Sequence, residues 1–197
     1  MTLERQGEAL VALARDAILH ELGGPAPSVP TGAWFEEPAA TFVTVTRRGQ
    51  LHGCIGSIAP RRSLASDVAH NAVAAAFTDP RSVAFRAEWI PDMGVEVTLL
   101  SPLQRLSVTD EADALRQLVP GEDGVVLRYG PSRGTFLPQV WESLPEPAEF
   151  LAELKQKAGL PRDFWAPGME VYRFSAQKWG DRRPGSRAHP THPEAAS

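Results

Sequence analysis

One cysteine, Cys54, stands in a chain of 197 residues. No intrachain disulfide can form, and a lone thiol is a liability in an oxidising compartment, so the cysteine count points to a reducing, cytoplasmic setting. A surplus of positive charge is missing too: 20 Lys and Arg face 24 Asp and Glu, a formal net charge of -4. Neutralising a phosphate backbone needs a basic footprint, so no nucleic-acid partner is expected. Long apolar runs are absent. In the first segment, Leu3 to Leu22, the charges of Glu4, Arg5, Glu8, Arg15 and Asp16 interrupt every apolar stretch, which excludes a signal-peptide core and a membrane span. There is no Walker loop, GxGxxG, HExxH, GxSxG or CxxC, and the standard nucleotide, zinc and hydrolase readings go with them. No internal repeat is visible.

What is present is a chain with 43% apolar residues, enough for a full core, cut into short elements by 18 Pro and 16 Gly. Leu10, Leu13, Ala14, Ala17 and Ile18 follow the stripe of a surface helix that Gly23 and Gly24 end. After a Pro-rich connector, residues 41–46 read as a strand, Arg47 to Gln50 as a hairpin turn, and Leu51 to Ile58 as its partner. Ser63 is placed to cap a helix over 64–77, which Asp79-Pro80 ends. Residues 94–100 form a strand, followed by a short helix capped near Asp110. A strand over 125–129 leads through a Gly-bounded turn, Gly130 to Gly134, to a helix start at Pro138. A helix over about 147–158 closes on Gly159, and a strand over 169–174 completes the folded part. Residues from about Asp181 onward offer too little apolar surface to offset the entropy of ordering and read as a flexible tail. The order is hairpin then helix rather than repeating βαβ, which predicts an α+β fold with largely antiparallel sheets and flanking helices.

Three stretches together form a pattern: Leu51-His-Gly-Cys-Ile-Gly-Ser57, Asn71-Ala-Val-Ala-Ala-Ala-Phe-Thr-Asp-Pro-Arg81, and Pro120-Gly-Glu-Asp-Gly124 continuing through Arg133-Gly-Thr-Phe-Leu-Pro-Gln-Val140. They resemble the AMMECR domain family, in order and with matching intervals from about residue 10 to about residue 176. Bacterial and archaeal members are also called protein A of the AmmeMemoRadiSam system, after neighbouring genes for a Memo-like and a radical SAM protein. The resemblance implies one AMMECR domain over residues 1–180, built of two closely packed subdomains, with residues 181–197 as its tail. It also implies a Leu-Arg-Gly-Cys-Ile-Gly signature near a cleft, and Memo-like and radical SAM proteins as partners. It implies no established activity, and whether a cofactor is used stays open. His52 stands where the family typically has Arg, which removes a permanent positive charge from beside the thiol.

The candidate site centres on this signature. In a regular strand His52, Cys54 and Gly56 share one face. Cys54 is then a nucleophilic or redox thiol with His52 as acid-base partner and Gly53 and Gly56 admitting a ligand to the main chain. The alternative is a small packing Cys in a strand whose glycines mark a bulge or a close crossing. Asp67, His70 and Asn71 share one side of their helix and either converge on a ligand or face water; Asn71 also suits a bridging hydrogen bond if buried. Glu96 faces either solvent or a polar cleft. Arg133 beside glycines is a candidate anion holder with Gln139 as a supporting donor at the helix start. His189 and His192 are separated by Pro190, which forbids a helical metal pair, and no metal site is expected.

Two classes of function stay open. One is an enzyme or enzyme subunit using Cys54 and His52, with Glu96 or Asn71 orienting a small substrate. The other is a non-catalytic adaptor presenting the same surface to a small molecule or a partner protein.

Overall fold

The structure, a computed structural model, describes residues 2–181. The expected tail beyond Asp181, with His189 and His192, lies outside the described residues. The chain forms two compact units: the first runs to Leu100 and resumes at Gln177, and the second is Ser101–Ala176.

In chain order, α1 (Leu3–Glu21) buries the expected stripe, including Leu10, Leu13, Ala14, Ala17 and Ile18, and Gly23 ends it at φ 90°. A single turn, α2 (Ala33–Glu36), precedes β1 (Pro38–Arg47) and β2 (Gln50–Gly56). Arg48 and Gly49 join these strands at φ 51° and 77°, the double positive φ that matches a two-residue turn to the twist of a hairpin. After β3 (Arg62–Ser63) comes α3 (Leu64–Phe77), whose Ser63 makes no side-chain capping bond. A 3-10 turn at Ala87–Asp92 leads into β4 (Met93–Leu100). The second unit contributes β5 (Gln104–Arg105), α4 (Glu111–Gln117), β6 (Gly124–Tyr129), β7 (Ser132–Phe136), α5 (Pro147–Lys157) and β8 (Glu170–Phe174), with a 3-10 turn at Pro138–Glu142. The chain then returns to the first unit as β9 (Ala176–Gly180).

β9 is a correction to the sequence reading, in which β8 closed the folded part. Trp179 is the reason: it is 7% exposed in the first core, against Gly7 of α1, where any Cβ would lie 2.2 Å from the indole. Asp181 then fastens the strand end, accepting from Val95 N at 3.1 Å and pairing with Arg15 of α1.

The first unit is a sheet of order β2-β1-β4-β9, with β3 beside the start of β1. Its core joins Val43, Val45, Val95 and Val97 to Leu10, Leu13 and Ile18 of α1 and Leu64, Val68, Ala72 and Ala75 of α3. Strand alternation therefore puts α1 and α3 on one sheet face and leaves the even-numbered residues of β1 and β4 on the other. The alanines of α3 let it lie close, and one buried polar group fixes it to the sheet. Asp67 Oδ2 accepts from Thr41 N (3.0 Å) and Thr41 Oγ1 (2.7 Å), and Asn71 Nδ2 donates to Asp67 Oδ2, Thr41 O and Thr41 Oγ1. Asp67 is fully buried, so neither acid nor amide faces water.

The second unit has strand order β5-β8-β6-β7. Val125, Leu127 and Val171 pack with Phe150, Leu151 and Leu154 of α5. Trp141 stacks on Phe150 at 3.7 Å and donates Nε1–H to Asp123 O. Buried Lys155 of α5 pairs with Glu111 of α4 at 2.7 Å, which supplies the partner that a buried ammonium requires. All strand pairings described in both sheets are antiparallel, so the fold is α+β with antiparallel sheets.

The closest approach in the first unit is at Gly53. A Cβ there would stand 2.0 Å from Ala75 O, a main-chain atom of α3 that cannot rotate away. Gly53→Ala is therefore expected to lower the unfolding free energy by about 1–3 kcal/mol, the usual cost of overpacking, read as a fall in the urea midpoint. An unchanged midpoint would show that α3 does not depend on bare backbone at this position.

Candidate functional site

Cys54 is half-buried and lies directly opposite Thr44 of β1, which is itself opposite Glu96 of β4. The register thus lines three side chains across three strands on the sheet face away from α1 and α3. Thr44 Oγ1 donates to Cys54 Sγ at 3.3 Å. Lys178 of β9 extends the row, its Nζ 3.5 Å from Glu96 Oε1, with side chains 37% and 42% exposed. Thiol, hydroxyl, carboxylate and ammonium form one polar row. Gly56 shares this face because the Phe42 ring lies across it: a Cβ would be 2.4 Å from Phe42 Cγ and 2.3 Å from Thr41 O.

The main chain of Cys54 is held from the sheet edge. β2 is the outermost strand, and Cys54 turns its N–H and C=O away from β1. Asp79 Oδ2 accepts the N–H at 2.8 Å, and Arg81 Nη2 donates to the C=O at 3.0 Å. Arg81 also grips Asp79 through its main-chain N, Nε and Nη2 at 3.0, 3.0 and 2.7 Å. An acid and a base two residues apart stand in for a neighbouring strand, satisfying both groups that an edge would leave open. The Arg81 guanidinium, followed by the N–H groups of Cys54 and Arg81, holds the Asp79 carboxyl well below the usual carboxylate range against the opposing effect of burial.

Burial acts on the thiol in the other direction. It pushes the Cys54 pKa up, with smaller upward contributions from the Asp79 and Glu96 charges, and the Thr44 hydroxyl and Arg81 offset this only in part. The thiol is therefore protonated at neutral pH, unlike the depressed thiols of reactive cysteines.

His52 is not in this row. The β1–β2 register shifts at Val45/Thr46, leaving His52 without a partner between Gly53 and Leu51. Such a bulge breaks the alternation that would have put His52 beside Cys54. Its Nε2 instead lies 3.2 Å from Ala76 O of α3, with its ring edge-on to Phe85 and Trp89 at 5.0 and 6.0 Å. This corrects the shared face expected from a regular strand. Of the remaining candidates, Glu96 is in the row, Gly53 meets α3, and Asn71 is spent on Thr41 and Asp67. His70 is exposed on α3. Arg133 is exposed on β7 of the second unit, and Gln139 sits in the five-residue turn Pro138–Glu142, its Oε1 buried without a hydrogen-bond partner. So short a turn has no helix N-terminus to hold an anion.

Sequence reasoning missed Thr44, Asp79, Arg81 and Lys178. Asp79 and Arg81 stand inside the quoted Asn71–Arg81 stretch, where Asp-Pro was read only as a helix stop. Thr44 carried a period-two signal but no partner until the register was known. Lys178 had none, because β9 was not foreseen.

An antiparallel α+β chain with a Gly-Cys-Ile-Gly edge strand is the class that the fold and site define. The AMMECR1 family profile matches residues 11–179, and the chain belongs to that family. It is 37% identical over 186 residues to a protein of Methanothermobacter thermautotrophicus, covering 87% of this chain and 92% of the relative. It is 34% identical to protein MK0488 of Methanopyrus kandleri, covering 93% and 92%. The crystal structure of the uncharacterized protein PH0010 from Pyrococcus horikoshii superposes with a TM-score of 0.80 at 34% identity, over 92% of this chain and 94% of that one.

Asp79→Asn removes one charge-assisted acceptor from Cys54 N and Arg81, and a loss of about 1.5–3 kcal/mol is expected. The folded carboxyl is more acidic than the unfolded one, so its contribution is complete above the unfolded value of about 3.9 and is lost as pH falls through the folded value. Denaturant titrations should show a constant gap between parent and variant from pH 8 to pH 5 and a shrinking gap below about pH 4. A gap that closes above pH 5 would contradict this account of the pair.

Proposed function

We propose that the chain is a small-molecule-binding component acting with Memo-like and radical SAM proteins in the cytoplasm, and that the row Cys54, Thr44, Glu96 and Lys178 is the floor of its site. The observation that carries this reading is the state of Cys54. A half-buried thiol kept protonated, hydrogen-bonded by Thr44 and anchored through its own main chain to Asp79 and Arg81, suits a fixed contact surface better than a nucleophile. His52, the acid-base partner a thiolate mechanism would use, packs instead at the end of α3. The family's association with Memo-like and radical SAM genes supports the choice of partners, and a lone thiol suits a reducing compartment. Charged Glu96 and Lys178, paired at 3.5 Å and both more than a third exposed, can exchange each other for a ligand's charged groups at little cost.

Native mass spectrometry of the chain, incubated with a low-molecular-weight extract of its own cells, tests this. A retained non-covalent ligand is expected on the parent and its loss on both Cys54→Ala and Glu96→Gln. Cys54→Ala should cost less than about 1.5 kcal/mol of stability, because a half-buried side chain makes few packing contacts. Ligand retention unchanged in both variants would sink the assignment of this row.

A further inference from the structure

We propose that the first unit carries an oxyanion-binding site beyond the end of α3, where Arg47 and Arg86 share the Trp89 ring, with a carboxylate- or phosphate-bearing small molecule as ligand. This site lies on the opposite sheet face from the Cys54 row and does not rest on the function proposed for that row.

The pairing of β1 with β4 runs without a shift as far as Arg47, which stands opposite Met93, and Met93 is fully buried in the first core. Alternation therefore puts Arg47 on the face of Val43 and Val45, the side that α1 and α3 cover. Where α3 ends, the following chain takes over that cover. Phe85 N donates to Ala76 O at 2.8 Å, and Trp89 N donates to Arg86 O at 3.0 Å within the 3-10 turn. Phe85 and His52 meet the Trp89 ring edge-on at 5.6 and 6.0 Å, so the indole is held in place by two other rings. The Arg47 guanidinium lies 4.1 Å from the centre of this ring and the Arg86 guanidinium 5.3 Å. Each is attracted by the indole, and the two like charges are brought together by it.

A second, independent observation concerns Arg47 itself. Its Nε is buried with no hydrogen-bond partner among the described residues, and an aromatic face attracts the cation without offering that N–H an oxygen. A desolvated donor without an acceptor costs stability. The acids of the 3-10 turn are directed to other arginines: Asp92 Oδ2 accepts from Arg48 Nε at 2.7 Å, and Glu88 Oε1 stands 3.7 Å from Arg86 Nη1, too far for a hydrogen bond. One ligand answers both the orphaned donor and the paired charges. An anion with two or more oxygens pairs with the planar fork of Arg47 and screens it from Arg86. Poor hydration around the shielded Nε strengthens that attraction. Arg86 is exposed and Arg47 and Trp89 are half-buried, so the two guanidiniums meet solvent at the rim of the cluster.

The Arg47 Nε–H and Trp89 indole N–H signals are the direct readout, followed by ¹⁵N NMR of the full chain during titration with sodium phosphate and, separately, sodium malonate at constant ionic strength. A saturable shift of both signals is expected, half-complete at a concentration on the order of 1 mM. Saturation by phosphate alone identifies a phosphate ligand, and saturation by malonate alone a carboxylate ligand. Saturation by both supports a site that reads the oxyanion itself. Arg86→Gln, at an exposed position that leaves the fold intact, should raise the half-saturation point by about tenfold, the equivalent of one lost charge-assisted contact. Arg47→Lys, which keeps the charge and loses the fork, should also weaken binding, read at the Trp89 indole. Shifts that rise linearly with both anions, or a titration curve left unchanged by either substitution, would overturn the proposal.

Discussion

The first unit depends on how closely the end of α3 lies against β2. Gly53 permits that approach, since any side chain there would collide with Ala75 O. The same contact brings Thr78 and Asp79, immediately beyond the helix, to the outer edge of the strand. There Asp79 and Arg81 take both main-chain groups of Cys54. The far end of α3's contact is fixed by the buried Asp67–Thr41–Asn71 bonds. The helix is thus pinned to β1 at its start and to β2 at its finish. Cys54 sits where the second of these attachments fixes the backbone most firmly.

That arrangement explains why a glycine-flanked cysteine need not be a nucleophile. Lowering a thiol pKa takes a nearby positive charge that outweighs desolvation. Arg81 is near enough to act, but it is bound to Asp79, whose negative charge opposes it, and Glu96 adds a second opposing charge. The signature's second residue is here a histidine, His52, turned to the helix side by the bulge, so it brings no charge to the thiol's face. What remains is a rigid neutral thiol within a polar row, which is suited to recognition.

The sequence revealed the elements well where periodicity or turn chemistry was strong: the stripe of α1, the Arg48-Gly49 hairpin, the limits of α3, and Gly159 after α5 all appear where expected. It failed where tertiary register decides. A bulge adds one residue without leaving a compositional mark, so the face of His52 was misread. β9 is short and mostly polar, and its single buried anchor, Trp179, looks like part of a tail until Gly7 is seen to receive it. Asp67 looks like a polar residue that faces water or a ligand on an alanine helix, Asn71 suits either a pocket or a bridging hydrogen bond, and only Thr41 across the sheet shows why both are inside. Glu96 was legible as a residue facing away from the core, whereas its alignment with Thr44 and Cys54 required the pairing of three strands.

The central claim, a neutral thiol held in a polar row, is tested most directly by titrating that thiol in the intact chain. Because Cys54 is the only cysteine, the thiolate absorbance near 240 nm, corrected with the Cys54→Ala variant, reports a single group. The account predicts a midpoint above the value of about 8.5 for an unperturbed cysteine. A midpoint below about 7, in the range of activated thiols, would contradict it and restore the nucleophile.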